Sequence, residues 1–448
     1  MKDKNVLIVG MGKSGVAAYN ALKTLGAKIS IQDSKELNRD DFPGATCYFG
    51  KMPDDFSEFD MLVLSPGVDP ESNFVTKARV QGVEVVGELE LAYRLAKGTF
   101  VGITGTNGKT TTTTLVGEIF KTAKINSAVV GNIGFPVITE SLRSTDDEWL
   151  ITEVSSFQLQ TTSQFKPKVS AILNLTPDHL NRHHTMEEYG KAKASINKMQ
   201  DEDGYFIINM DDEVCMDLCL RKAWTPKAKI AYFSRKSEPE FGAFLKGDIL
   251  SFKDEDGVVT EYIDRHELKI IGDHNVENAL SAIAICHLSG IPKEPIVETL
   301  REFPGVEHRI EFAGEINGVK YYNDSKGTNV DAAVIALKAI GKNIILIAGG
   351  DAKSQEFDEL IKNFPGRVKH MVLIGRDAPM IQAASDKYGF KDYTYGKDME
   401  ECVKIAYEMA EPGDSVLLSP ACASWDMYKN YEIRGDHFKS VVQSIIKG

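Results

Sequence analysis

Short apolar runs of strand length alternate along this chain with longer stretches whose apolar residues recur every three or four positions. Residues 6–9, 28–31 and 61–64 read as strands, and residues 15–25 and 88–96 carry helical spacing. Strands and helices taken in turn imply a parallel sheet with helices on its faces, because a parallel pair needs a crossover long enough to hold a helix. The habit returns with strands at 99–103, 128–130, 149–154, 169–174, 205–209 and 230–233. Residues 242–263 differ. Alternating runs around Gly247-Asp and Asp254-Glu-Asp-Gly257 predict hairpins, and so a small antiparallel sheet appended to this section. A helix over 275–288 follows, stopped by Gly290-Ile-Pro292. After Phe303-Pro-Gly305 a third set of strands falls at 318–322, 343–348, 368–374 and 415–419. The pattern predicts an α/β protein of three domains, at 1–94, 95–302 and 303–448.

Composition agrees and narrows the function classes. A chain of 448 residues is too long for one core, and its length suggests about two to four domains. It is 42% hydrophobic and 26% charged, as ordinary globular proteins are. Its 52 basic and 65 acidic residues give a net charge of −13, which argues against a general nucleic-acid or anionic-membrane surface. The N-terminus runs straight into the strand at 6–9, so no signal peptide is expected, and no apolar run approaches the roughly 18 residues of a membrane span. The six cysteines (Cys47, Cys215, Cys219, Cys286, Cys402, Cys422) show no Cys-x-x-Cys spacing and suit a reducing cytoplasm. Cys215 and Cys219, one helical turn apart, read as small apolar residues on a buried face.

The richest chemistry lies at Gly102-Ile-Thr-Gly105-Thr106-Asn107-Gly108-Lys109-Thr110-Thr111-Thr112, between a strand and a helical run at 113–120. Backbone N–H groups and the positive end of a helix can surround a phosphate there, Lys109 adds a charge, and the Thr110 hydroxyl can hold Mg²⁺. The usual glycine five residues before Gly108 is replaced by Ile103. A second loop, Gly10-Met-Gly12-Lys13-Ser14-Gly15, follows the first strand, and Asp33 ends the second. This matches a dinucleotide fingerprint, although the same loop would seat any pyrophosphate, that of a nucleotide-sugar included. Ser65-Pro66-Gly67 lies at the carboxyl end of the same sheet.

Other polar clusters mark strand ends. Glu153, in Glu-Val-Ser-Ser-Phe-Gln-Leu, could bind Mg²⁺ in a domain that already holds a phosphate loop. Asp178-His179-Leu-Asn-Arg-His183-His184 has no cysteines nearby and matches no common zinc spacing, so one His serving Mg²⁺ or a phosphate is the better reading. Lys191 and Lys193 point to different faces of one helix and are most simply solvated. Asn275 can cap a helix and Asn278 can face a base or ribose. His308-Arg309 follows a domain junction. The segments 322–329, Gly349-Gly-Asp351-Ala-Lys353 and Ser419-Pro-Ala-Cys-Ala-Ser424-Trp425-Asp426 would share one sheet edge, as a second substrate's pocket requires.

The order of these motifs resembles that of the Mur ligases, ATP-dependent amide-forming enzymes of peptidoglycan precursor synthesis. The likeness runs from the short phosphate loop through Glu153, Asp178-His179, Tyr189-x-x-x-Lys193, His274-Asn275-x-x-Asn278, His308-Arg309, Asp324-Ser-Lys-x-Thr-Asn329 and Asp351-x-Lys353. Glu153-Val-Ser-Ser-Phe-Gln-Leu and the segment 419–426 look like the branch that adds D-glutamate to UDP-N-acetylmuramoyl-L-alanine. The resemblance implies Rossmann-like first and third domains around a P-loop ATPase-type central domain, and a cytoplasmic monomer. It implies that Gly12, Lys13, Ser14, Gly15, Asp33, Ser34, Ser65, Pro66, Gly67, Asn132 and His179 hold the UDP-linked substrate. ATP would meet residues 105–111, Asn275, Asn278, Arg309 and Asp324. Two Mg²⁺ would be held by Thr110 with Glu153 and by His179 with a carbamylated Lys193, and catalysis would rest on Lys109, Glu153, His179 and Lys193. D-glutamate would meet Thr328, Lys353, Ser424 and Tyr431, the last usually phenylalanine in the family. A dehydrogenase built on residues 10–33 is the main rival; it leaves Lys109 and the third section without a role. A non-catalytic nucleotide-binding module, a ligase for another amino acid and a folylpolyglutamate synthase are further alternatives.

Overall fold

A computed structural model of the chain describes residues 1–353 and 355–447. The described strands form three sheets, each with its carboxyl edge lined by polar loops. The first sheet contains β1 (Asn5–Val9), β2 (Lys28–Asp33), β3 (Thr46–Phe49), β4 (Met61–Leu64) and β5 (Glu84–Gly87), all parallel, in the order β3-β2-β1-β4-β5. Its central strands β1 and β4 carry unbroken apolar runs, Val6–Val9 and Met61–Leu64, as strands buried on both faces do, whereas β2 and the edge strand β3 mix polar with apolar residues.

The second sheet runs from β6 (Thr99–Thr104), β7 (Ser127–Gly131), β8 (Trp149–Glu153), β9 (Val169–Ile172), β10 (Tyr205–Asn209) and β11 (Lys229–Ser234) to β12 (Gly242–Lys246), β13 (Ile249–Lys253) and β14 (Val259–Asp264). Its order is β14-β13-β12-β11-β10-β9-β6-β8-β7. The antiparallel strands expected at 242–263 are present as the edge of this sheet: β12 pairs parallel with β11, and β13 and β14 then continue antiparallel. The chain leaves β6 toward β7 and β8 on one side and later returns by β9 on the other. The carboxyl end of β6 is thus a topological switch point, where a crevice opens between loops that diverge.

The third sheet holds β15 (Glu311–Ile316), β16 (Val319–Asn323), β17 (Ile344–Ala348), β18 (Val368–Leu373), β19 (Tyr393–Tyr395) and β20 (Ser415–Leu418), in the order β15-β16-β20-β17-β18-β19. Only β15 is antiparallel to its neighbour. No described helix is long and apolar enough to cross a membrane.

These sheets are distributed over two compact units: Met1–Glu267 with Glu277–Arg301, and Leu268–Val276 with Glu302–Gly448. In the first unit a single apolar cluster takes in residues of both sheets, including Ile8, Leu89, Leu91, Phe100, Val137 and Phe165. Tyr93, Phe100 and Phe165 meet edge to face with centroids 5.5–5.6 Å apart, which ties the helix Glu88–Leu95 to β6. In the second unit separate clusters fill the two faces of the third sheet. Cys215 and Cys219 are buried with free thiols, the apolar role their spacing suggests.

The same helix carries two buried acids, Glu88 and Glu90. Glu88 accepts a single backbone hydrogen bond, from Ile138 N–H at 2.8 Å, and burial pushes its carboxyl up to about 7. A folded-state pKa above the unfolded 4.5 means that the native chain holds the proton longer, so stability falls as pH rises from about 4.5 to about 7. Glu88→Gln keeps the acceptor and removes the titration. Relative to wild type it should gain thermal stability between pH 5 and pH 8, by several degrees at the upper end, in a melting series across that range. A constant difference would contradict the buried neutral carboxyl.

Candidate active site

The phosphate-loop motif sits at the switch point of the second sheet. Ile103 lies inside β6, paired with Glu153 and Ala171 and fully buried, so the loop begins only at Gly105. That is the physical reason for the short form. Gly108 has φ +81°, and a Cβ there would lie 2.3 Å from Asn278 Oδ1, so only glycine fits the entry to the helix Lys109–Thr122. The loop is braced from its neighbours. Asn107 N–H donates to Asn174 Oδ1 at 2.8 Å, and Thr106 Oγ1 donates to the Thr176 carbonyl and lies 3.2 Å from Tyr189 Oη. Thr112 Oγ1 donates to Asn278 Oδ1, placing Asn278 against the phosphate-loop helix.

Two lysines converge on this loop from different helices. Lys109 Nζ donates to the carbonyls of Gly105 at 2.9 Å and Thr106 at 2.8 Å. Lys193 Nζ donates to the same Gly105 carbonyl at 2.7 Å and lies 4.6 Å from the Tyr189 ring centre. Lys193 is 1% exposed, whereas Lys191 is exposed; the solvated reading of both lysines is corrected for Lys193. Burial first, and the nearby Lys109 charge second, hold the Lys193 amine far below the usual lysine range. A neutral amine is nucleophilic, which an ammonium is not.

Glu153 ends β8 beside the loop, 1% exposed. Its Oε1 accepts from Asn132 Nδ2 at 2.9 Å, and its main-chain carbonyl accepts from Asn132 N–H, while Oε2 is buried without a hydrogen-bond partner among the described residues. A buried carboxylate oxygen with no donor is costly unless a cation or a proton meets it. His179 follows β9 in a left-handed conformation (φ 53°), half exposed, with its ring 4.9 Å from that of Phe157. His183 is buried against Ser156 Oγ at 2.9 Å, and burial lowers its imidazole to about 4, so it is a neutral packing group. Among the described residues no three His, Cys, Asp or Glu side chains gather as a metal cage. A carboxylate on the strand next to the phosphate loop suits Mg²⁺, which keeps waters and phosphate oxygens as its other ligands. A cavity of about 500 Å³ opens along the same edge, lined by Asn174, Thr176, Pro177, Asp211, Lys236 and Glu277.

On the first sheet the loop 10–15 closes tightly at its two ends, Gly10 and Gly15, and is open at Gly12. A Cβ at Gly15 would lie 2.0 Å from the Gly10 carbonyl, which also accepts from Ser65 Oγ. Asp33 accepts from the Met11 and Lys35 N–H groups. Burial pushes its carboxyl up, but those two donors together outweigh it and hold it below the usual range. Gly12, Lys13 and Ser34 are exposed beside these anchors.

The second unit holds its own constellation. Asp324 is fully buried, accepts from Ser419 Oγ at 2.7 Å and pairs with Arg309 at 3.7 Å; burial pushes its carboxyl up to about 6. The Arg434 guanidinium, 3% exposed, donates to Ser325 Oγ and to the carbonyls of Ser325 and Cys422. It thereby ties the segment after β16 to the segment after β20. Lys353, in a left-handed conformation (φ 48°), places Nζ 4.2 Å from the Trp425 ring centre. Ser424 is buried, and Tyr431 lies edge-on to His308 with Lys326 Nζ 5.7 Å from its ring centre. Asn275 belongs to this unit and donates to the Ile271 carbonyl, whereas Asn278 belongs to the first.

The three segments 322–329, 349–353 and 419–426 do follow the carboxyl ends of neighbouring strands β16, β17 and β20. Sequence reasoning missed Asn174, Ser419 and Arg434 as braces. Asn174, just past a strand end, carried a weak signal; Arg434, a lone arginine in the last helix, carried none. Because Gly105 O keeps Lys109 as a donor, Lys193→Met should raise the unfolding midpoint by about 2 °C or more in CO₂-free buffer without ligands. A lower midpoint would show that the amine supports the fold.

Comparison with known proteins shows the family to which the chain belongs. Residues 4–87 match the Mur ligase MurD-like N-terminal domain, 103–286 the Mur ligase middle domain, and 308–422 the Mur ligase glutamate ligase domain. The dinucleotide reading of residues 10–33 falls inside the first of these. The chain is 47% identical over 455 residues to the UDP-N-acetylmuramoylalanine--D-glutamate ligase of Thermoanaerobacter sp. (strain X514), covering 99% of each. It is 44% identical over 454 residues to the protein of the same name from Clostridioides difficile (strain 630), again covering 99% of each. The MurF ligase from Thermotoga maritima, solved with ADP, shares the fold with a TM-score of 0.61 at 17% identity, over 99% of this chain and 96% of that one. UDP-N-acetylmuramate-alanine ligase from the same organism gives 0.60 at 19% identity, over 98% and 99%. Fold, motif order and relatives agree, and the chain belongs to the Mur ligase family.

Proposed function

We propose that this chain is an ATP-dependent, ADP-forming ligase that joins D-glutamate to UDP-N-acetylmuramoyl-L-alanine in cytoplasmic peptidoglycan precursor synthesis. The observation that carries the reading is the convergence of Lys109 and Lys193 on Gly105, beside a buried Glu153 whose second oxygen meets no donor among the described residues. The names of the relatives supply the substrates.

A carboxylate is a poor electrophile. In the proposed reaction an oxygen of the substrate's L-alanyl carboxylate attacks the γ-phosphorus of ATP, the bond to the bridging oxygen breaks, and ADP leaves. The D-glutamate nitrogen then attacks the acyl carbon, phosphate departs with the bonding pair, and the amine loses a proton. Lys109, at the start of the phosphate-loop helix, offsets the charge that builds on the transferring phosphoryl group. In its unprotonated form, which burial favours, the Lys193 amine can add CO₂ and release a proton, which turns a donor into an oxygen ligand. Thr110 with Glu153, and His179 with carbamylated Lys193, would each hold a Mg²⁺, and these ions would screen the phosphates and the developing charge.

By the same reading residues 1–94 bind the UDP part through Gly12, Lys13, Ser14, Gly15, Asp33, Ser34, Ser65, Pro66 and Gly67, with Asn132 and His179 nearer the muramoyl end. Residues 95–302 bind ATP through 105–111 and Asn278. Asn275, also within 95–302, meets the nucleotide, and residues 303–448 contribute Arg309 and Asp324 to the nucleotide and Thr328, Lys353, Ser424 and Tyr431 to D-glutamate. A monomer is the working unit of this proposal.

Phosphate release with ATP, Mg²⁺ and UDP-N-acetylmuramoyl-L-alanine, across a panel of amino acids, tests the substrate assignment. D-Glutamate should exceed L-glutamate, L-lysine and diaminopimelate by about 100-fold or more; a different preferred amino acid would overturn it. Lys193→Ala should lower kcat by about 100-fold or more while affinity for the UDP-linked substrate stays within about threefold. Unchanged turnover would remove the carbamate from the mechanism.

A further inference from the structure

The helix Glu88–Leu95 has no part in the proposed chemistry, yet it carries two buried acids whose partners lie far away in sequence. It starts directly from β5 of the first sheet. Glu90, fully buried, accepts from three successive backbone N–H groups of the second-sheet section, Ser163, Gln164 and Phe165, at 2.9–3.2 Å. Ser163 Oγ and Arg94 Nε add two more donors at 3.1 and 2.8 Å. Glu88 takes Ile138 N–H. The fit is tight at the helix start, where Gly87 N–H donates to the Thr161 carbonyl and a Cβ on Gly87 would lie 2.1 Å from Thr161 Oγ1.

The two gripped segments flank β8, the strand that ends in Glu153. Ile138 follows the loop that carries Asn132 after β7, and residues 163–165 join the Ser156–Leu159 helix to β9. A third tie comes from the other direction. Arg182, three residues after His179, donates to the Val68 carbonyl at 2.8 Å, next to Ser65-Pro-Gly67 of the first sheet, and stacks 5.0 Å from the Phe157 ring centre.

We propose that Glu90, Glu88 and Arg182 are positioning residues that hold the first sheet and the second sheet as one rigid body. They would thereby set the span between the loop 10–15 and Glu153. The proposal rests on the reading that this loop holds the UDP end of the substrate while the other end is activated beside Glu153. A carboxylate with five donors serves such a joint well, since charge-assisted bonds to backbone N–H groups are short and directional. Burial pushes the Glu90 carboxyl up, but the backbone donors and Arg94 together hold it below the usual range; both its oxygens accept from N–H groups, and the NH₂ of an amide would face a donor. Glu88, held by one N–H, tolerates an amide.

The test pairs kinetics with a distance. Glu90→Gln should raise KM for the UDP-linked substrate about tenfold or more, with KM for D-glutamate within about twofold, and Glu88→Gln should match wild type. Arg182→Met should raise the same KM severalfold, and it decides the matter if Glu90→Gln fails to fold. Nitroxides at Asn20→Cys and Lys121→Cys in a Cys47→Ser background report the joint without any substrate. Their distance distribution should be narrow with Glu90 and broad with Glu90→Gln or Arg182→Met. All KM values rising in parallel, or distributions that stay narrow in both variants, would overturn the proposal. If the distances behave as expected but the UDP-linked substrate is not turned over, the joint stands and the substrate assignment fails instead.

Discussion

A lysine amine buried against a main-chain carbonyl, with a second lysine on that same carbonyl, is the contact around which the central site is organised. Two ammonium groups that close repel each other, and burial together with that repulsion holds the Lys193 amine far below the usual lysine range. This costs stability in the resting chain. It also leaves a nucleophilic amine next to the phosphate loop, the condition for carbamate formation. Tyr189 and Thr106 wall the pair in, and Asn107 and Asn174 fix the loop above it. The site is built from a strained electrostatic arrangement and braced by neutral hydrogen bonds.

The parallel sheets explain why these groups can meet at all. Parallel strands send every connecting loop to the same edge. β6 stands between β8 and β9, so Glu153, the phosphate loop and the His179 segment arrive side by side from three stretches of sequence. Glycine then sets how closely they approach, as at Gly108 against Asn278. The third sheet repeats the device with β16, β20 and β17, and the buried Arg434 joins the segments after β16 and β20.

What the sequence revealed, and what it hid, follows from range. Apolar runs in buried middle strands announced themselves: residues 61–64 and 205–209 were read with the bounds the structure gives. The short strands β3, β5 and β19 were not seen, because three or four residues with mixed polarity leave no period to detect. Helical spacing separated Lys191 from Lys193 but could not say which of them was buried. The resemblance singled out Lys193 as a site residue without saying how deep it lies, and Lys193 is the buried one of the pair. Glu88 and Glu90 read only as helix residues, since Ile138 and Ser163 lie 50 and 73 positions away. Local pattern carries no information about such partners.

The central claim is that the phosphate loop serves to activate a carboxylate rather than merely to hydrolyse or bind ATP. Isotope transfer tests this most directly. UDP-N-acetylmuramoyl-L-alanine carrying ¹⁸O in both oxygens of its alanyl carboxylate is turned over with ATP and D-glutamate, and the phosphate released is analysed by mass spectrometry. The account predicts one ¹⁸O in each phosphate formed, because the carboxylate oxygen that attacked phosphorus leaves with it. Phosphate free of ¹⁸O would contradict the account.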